Sequence, residues 1–131
     1  MRKTFFLLMA MMVLVLVLVA CGGGGDEADS VDPGVESTGD VVAGEVLFQG
    51  KCASCHGEDA KGLPNLGKDM TSSAFVKSLS ENELLAFVKK GRPVSDPKNT
   101  TGVDMPVKGG NPDLDDEELL DIIAFIRSVV N

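Results

Sequence analysis

Tryptophan and tyrosine are absent from this 131-residue chain, histidine occurs once and cysteine three times, and the only aromatic hydrophobes are six phenylalanines. With His56 as the single histidine, no second imidazole is present to serve as acid or base beside it. The three cysteines, Cys21, Cys52 and Cys55, leave no second pair to complete a structural zinc site, which usually draws on two well-separated ligand pairs. Basic residues are also short, 12 Lys and Arg against 20 Asp and Glu for a formal net charge of −8. That balance excludes nucleic acid as a partner. Finally, Gly and Pro interrupt every apolar run between residues 91 and 112, and no stretch of useful strand length occurs elsewhere, so the expected class is all-α.

What is present begins at the N-terminus. Arg2 and Lys3 precede an unbroken apolar run from Phe5 to Ala20, the pattern of an export signal. The run ends in Leu18, Val19, Ala20 and Cys21, which resembles the lipobox of bacterial lipoproteins, where the chain is cut before the cysteine and the cysteine carries lipid. The resemblance implies a signal peptide over residues 1–20 and a lipid on Cys21. An uncleaved anchor is the competing reading, although the run falls just short of the roughly 17 residues needed to span a bilayer. Either way, the rest of the chain is expected on the extracytoplasmic face of a bacterial membrane. Residues 21–39 are rich in Gly, Asp, Glu and Ser, carry too little apolar surface to fold, and read as a tether with a mean reach of roughly 20–25 Å. Residues 40–131 remain as one domain, small enough that something besides its own apolar side chains is expected to complete its core.

Three helices are legible in that domain. Val42, Val46 and Leu47 recur at helical spacing behind Asp40 or Gly39 as cap, in a segment that delivers Cys52 from a helix end. Ser80 followed by Glu83 forms a capping-box pattern before Leu84, Leu85 and Val88, and Gly91 and Pro93 stop the helix. Asp115 and Glu118 repeat the box before a stripe of Leu119, Ile122, Ile123 and Ile126, with acidic residues at the start and Arg127 near the end. A shorter helix is expected from Ser72 to Leu79.

The chemistry concentrates in CASCH, Cys52 to His56. A redox disulfide of the thioredoxin kind needs a strand before the pair, and none precedes residue 52. Zinc would need a fourth ligand. The spacing suits covalent haem instead, because two thiols three positions apart can each add to one vinyl group while the adjacent imidazole points at the iron. An oxidising, extracytoplasmic location, where free thiols would otherwise pair, fits that use.

At these residues the chain resembles the class I monohaem cytochromes c, over about residues 41–130. The resemblance rests on Gly44 and Phe48 before CASCH, on the GLPNL stretch from Gly62 to Leu66, on Asp104-Met105-Pro106, and on Ile122 and Phe125 in the closing helix. It implies helices wrapped around one covalently bound haem c, an iron cofactor held through Cys52 and Cys55. The first and last helices would cross at Gly44 and Phe48 against Ile122 and Phe125, and the Pro64 carbonyl would accept the His56 ring proton. Without tryptophan or tyrosine, hydrogen bonds to the haem propionates would have to come from Arg92, Lys, Ser, Thr, Asn or backbone groups.

The second axial ligand would be a methionine, a weaker donor such as lysine or asparagine, or absent, and the methionines beyond the signal are Met70 and Met105. Met70 follows His56 closely and has little chain in which to reach the far face of a haem. Met105 lies in a Gly- and Pro-bounded loop and matches the loop methionine that is the ligand in the family. Iron held by His56 and Met105 has no open position and can exchange an electron without binding substrate. The expected function is therefore a tethered one-electron carrier, not an enzyme, between redox membrane complexes such as a quinol-oxidising complex, a terminal oxidase or a photosynthetic reaction centre. A peroxidase-like haem enzyme and a redox or gas sensor are the alternatives. Lys51, Lys61 and Lys108 are expected as a basic rim around the exposed haem edge.

Overall fold

The computed structural model describes residues 38–131. Residues 1–37 lie outside the described residues, and with them the expected signal peptide, Cys21 and all but the last two residues of the expected tether. Five α-helices follow in order: α1 Val41–Lys51, α2 Ala53–His56, α3 Ala74–Ser78, α4 Glu81–Lys90 and α5 Asp116–Val129, with a 3₁₀ turn at Val107–Gly110 before α5. Among the described residues no strand forms, and a single antiparallel bridge joins Arg92 to Met105. The fold is all-α, and none of the described helices is long and apolar enough to cross a membrane.

Helix α1 starts at Asp40, whose Oδ1 accepts from the amides of Val42 at 2.7 Å and Ala43 at 3.0 Å. These bonds satisfy two of the four amides that a helix start leaves open. Of the apolar residues that recur along α1, Leu47 packs against the core, but Val42 is 72% exposed and Val46 70%, and the buried residues are Gly44 and Phe48. The reason is a close approach of two backbones. A Cβ on Gly44 would lie 1.8 Å from the carbonyl oxygen of Asp121 in α5, so α1 can cross α5 only with its glycine at the contact. One turn further on, the Phe48 ring fills the crossing against Phe125, centroids 5.0 Å apart. Folded structure reaches back past the expected boundary at residue 40: Thr38 donates from N and Oγ1 to the Glu81 carboxylate, and the Asp40 amide donates to Asp121 at 2.7 Å.

The other helices follow their caps. Both capping boxes form, at Ser80 with Glu83 and at Asp115 with Glu118, and Ser73 caps α3. Gly91 ends α4 at φ +69°, left-handed backbone that favours glycine. Helix α5 buries Leu119, Ile122, Ile123, Ala124, Phe125 and Ile126, because it packs against α1 and α4 at once. Arg127 closes this layer by donating to the carbonyls of Val76, at 2.7 Å, and Leu79.

The crossing generates a paired prediction. Gly44→Ala should lower the unfolding free energy by about 1–3 kcal/mol, the usual cost of forcing atoms into a filled contact. Gly50→Ala, in the same helix with nothing within 4 Å of its added Cβ, should raise it by about 0.5–1 kcal/mol through helix propensity. Denaturant titrations followed by circular dichroism measure both, and equal effects would show that the close approach does not carry the packing.

Candidate functional site

Cys52 caps α1, its amide donating to the Phe48 carbonyl at 2.8 Å, and the chain turns there into the single turn α2 that carries Cys55 and His56. Both cysteines are unpaired. Burial, with the neighbouring Cys55 second, pushes the Cys52 thiol up to about 11. It is therefore a neutral thiol in apolar surroundings, unlike the thiolate a metal site requires. Among the described residues no three His, Cys, Asp or Glu side chains converge as ligands for a metal ion.

A strap of chain fixes the His56 ring. The Gly62 amide donates to the His56 carbonyl at 2.7 Å and the Leu63 amide to the Cys55 carbonyl at 3.1 Å. Gly67 then presses on the motif so closely that a Cβ there would lie 2.1 Å from the Cys55 carbonyl oxygen. The carbonyl that meets the ring is that of Lys68, 3.0 Å from Nδ1; Pro64, expected in this role, does not line the site. The reason is local: Leu63 is held on the motif's backbone, and residues 63–67 are taken up by a turn in which the amides of Leu66 and Gly67 return to the Leu63 carbonyl. A carbonyl only accepts, so Nδ1 carries the proton and Nε2 is left as a free lone pair. Burial lowers the His56 pKa, opposed by the bond to Lys68, and so favours this neutral, ligating form.

Met105 is brought to the same cavity by the loop after α4. Arg92 and Met105 exchange both backbone hydrogen bonds, at 2.8 and 2.9 Å, and a Cβ on Gly91 would lie 2.3 Å from the Met105 carbonyl oxygen. Inside the loop the Asn99 side chain donates to the Val103 carbonyl at 2.8 Å and accepts from the amides of Thr101 and Gly102, both at 3.1 Å. The Asp104 carboxylate accepts from the Val94 amide. These side-chain bonds replace the regular structure that the glycines and prolines deny the loop.

Cys52, Cys55, His56 and Met105 all line one cavity of about 460 Å³, within the size range of cofactor pockets. Phe75, Phe87, Ile122 and Ile126 add apolar wall, and Met70 lines it too. Haem fits this arrangement: two thiols, an imidazole with a fixed tautomer and a thioether surround an otherwise greasy space, and no side chain fills it.

Of the expected basic rim, Lys51 lines the cavity. Lys61 does not, being exposed and paired with Asp59 at 3.4 Å. Lys108 is drawn away to the carbonyls of Pro112 and Leu114. Lys68 and Lys98 line the mouth instead. The Lys68 carbonyl and the Asn99 bonds had no signal in the sequence beyond a polar, turn-rich composition.

Comparison with known proteins agrees with this site. The cytochrome c family profile matches residues 41–130. Cytochrome c-555 of Chlorobaculum thiosulfatiphilum is 33% identical over 87 residues, 66% of this chain and 93% of that protein. The cbb3-type cytochrome c oxidase subunit CcoP of Rhodobacter capsulatus is 27% identical over 88 residues, 66% of this chain but 28% of that subunit. Cytochrome cL from the marine methylotroph Methylophaga aminisulfidivorans MPT superposes with a TM-score of 0.53 at 25% identity, covering 85% of this chain and 72% of its own. The chain belongs to the cytochrome c family, and its cofactor is covalently bound haem c, with Cys52 and Cys55 in the position of that family's CxxCH motif.

Proposed function

We propose that this haem c protein is a one-electron carrier, tethered to the outer face of a bacterial membrane through Cys21, whose iron is ligated by His56 and Met105. The observation that carries the reading is the convergence of a histidine with Nε2 free and a methionine on a pinned loop in the cavity that both thiols line. The bound haem supplies a reversible one-electron change at its iron. The protein's own residues do the rest. Lys68 orients the imidazole, and the Arg92 backbone pair holds Met105 in place. The apolar wall excludes water, which favours the less charged, reduced state.

Met70 is the rival ligand, and its position speaks against it. It follows by two residues the carbonyl that holds His56, and its own amide donates to Ala60 at 2.8 Å. It therefore belongs to the strap on the histidine side. With His56 and Met105 as its ligands the iron would have no open site, and with no second histidine in the chain a peroxidase-like role would also lack a distal base. The named relatives include a cbb3-type oxidase subunit, which supports membrane redox complexes of the terminal-oxidase kind as partners. A quinol-oxidising complex is the donor class we favour.

Met105→Ala should abolish the weak near-infrared sulfur-to-iron band of the oxidised protein, lower the midpoint potential and open the iron to carbon monoxide, while Met70→Ala should leave all three unchanged. The reverse pattern would move the ligand to Met70. For the tether, mass spectrometry of the membrane-bound protein should find a chain that begins at Cys21 with acyl mass added, and Cys21→Ala should block that processing. An intact N-terminus at Met1 would support the uncleaved anchor instead.

A further inference from the structure

Lys108 stands in left-handed backbone, at φ +50° and ψ 33°, followed by Gly109 and Gly110 at φ +63° and +84°. Glycine enters this conformation freely, whereas a residue with a Cβ is strained there. The run begins three residues after Met105, in a turn where the Gly109 amide donates to the Pro106 carbonyl at 3.0 Å and the Asn111 amide to the Lys108 carbonyl at 3.2 Å. Pro106 and Gly109 line the cavity, but the half-buried Lys108 side chain turns elsewhere. Its Nζ donates to the Pro112 carbonyl at 3.1 Å and to the Leu114 carbonyl at 2.5 Å.

A strained residue persists where the structure around it over-determines it, and here the side chain supplies two bonds that glycine could not make. Leu114 is buried in the core and directly precedes Asp115, the cap of α5. Lys108 therefore fastens the far end of the methionine loop to the start of the last helix. The near end is fastened by the backbone pair of Arg92 with Met105. Met105 is thus held from both sides, and the hold through Lys108 is the one that a side-chain substitution can release.

We propose that Lys108 is a positioning residue for the axial methionine: its ammonium, clamped on the Pro112 and Leu114 carbonyls, keeps the left-handed turn closed and so keeps Met105 seated at the iron. The proposal rests on the reading of Met105 as the ligand. Lys89 offers the contrast. It too meets the start of α5, through Asp116 at 2.7 Å, but it reaches there from α4 and not from the loop.

The test uses the oxidised, haem-loaded protein and imidazole, a probe that binds the iron when the methionine lets go. Its apparent affinity scales with the fraction of molecules whose loop is open. Lys108→Met keeps the aliphatic length and removes the donors. It should bind imidazole about tenfold more tightly than the wild type, roughly the equilibrium worth of one lost hydrogen bond from a charged group, and should keep its sulfur-to-iron band when imidazole is absent. Lys108→Gly separates clamp from strain: loss of the clamp should raise its imidazole affinity as in Lys108→Met, whereas relief of the backbone alone would lower it. Lys108→Arg, which keeps a long donor, should return the affinity towards the wild-type value, and Lys89→Met, which removes an equal charge, should leave it unchanged. Wild-type or weaker imidazole binding by Lys108→Met and Lys108→Gly would overturn the proposal, even with global stability lowered, since a merely structural lysine would act on unfolding alone. If neither variant retains haem, reductive methylation of native wild-type protein decides: the Lys108 amine should react more slowly than that of the exposed Lys61, and equal rates would overturn the clamp. A wild type whose sulfur-to-iron band is missing, or is lost in Met70→Ala, would instead overturn the reading of Met105 as ligand.

Discussion

The haem-attachment motif starts from one steric constraint, the seating of Gly44 on the Asp121 carbonyl. With room for no side chain at that point, the crossing of α1 on α5 has one close arrangement. The last residue of α1 therefore emerges where Cys52 begins the turn that carries Cys55 and His56. The contact explains why a helix start keeps a glycine despite its entropic cost, and why the valines beside it are left to solvent. Phe48 and Phe125 fill what the glycine leaves open.

From that crossing the domain builds two supports for a flat cofactor. One is the strap through Gly62, Leu63 and Gly67, which ends by aiming the Lys68 carbonyl at His56. The other is the loop through Arg92, Asn99 and Met105. Neither contains a regular helix or strand, and each is held by backbone bonds to a neighbouring segment or by a side chain folded back on its own loop. His56 on the single turn α2 and Met105 on its loop are thus held by irregular chain, with the longer helices acting as a frame. The core runs into the cavity: Ile122 and Ile126 of α5 line it together with residues of α3 and α4, and bound haem would complete the apolar packing there.

Local signals with a mechanism of their own are legible in the amino-acid sequence. Capping boxes at Ser80 and Asp115, the stop at Gly91 and the CASCH spacing each follow from bonds within a few residues, and each stands in the fold. The all-α class is legible for the same reason. Legibility ends where the outcome depends on distant chain. The spacing of Val42 and Val46 marks α1 as a helix, yet its buried face is decided by Asp121 in α5. The proline after CASCH looks like the histidine's partner, yet the turn over residues 63–67 passes that role to Lys68. Lys108 reads as a free surface charge until the chain folds back and offers it two carbonyls.

The proposed carrier role depends on one thioether, that of Met105, which would ligate the haem iron together with His56. A methyl group above the plane of a porphyrin is shifted far upfield by the ring current in the diamagnetic, reduced protein. Its position reports ligation without any mutation. Reduced wild-type protein labelled with ¹³C-methyl methionine should show one strongly upfield methyl resonance, connected by nuclear Overhauser effects to protons of the Arg92–Met105 segment. A shifted methyl that belongs to Met70, or a spectrum with no shifted methionine methyl at all, would rule out ligation by Met105.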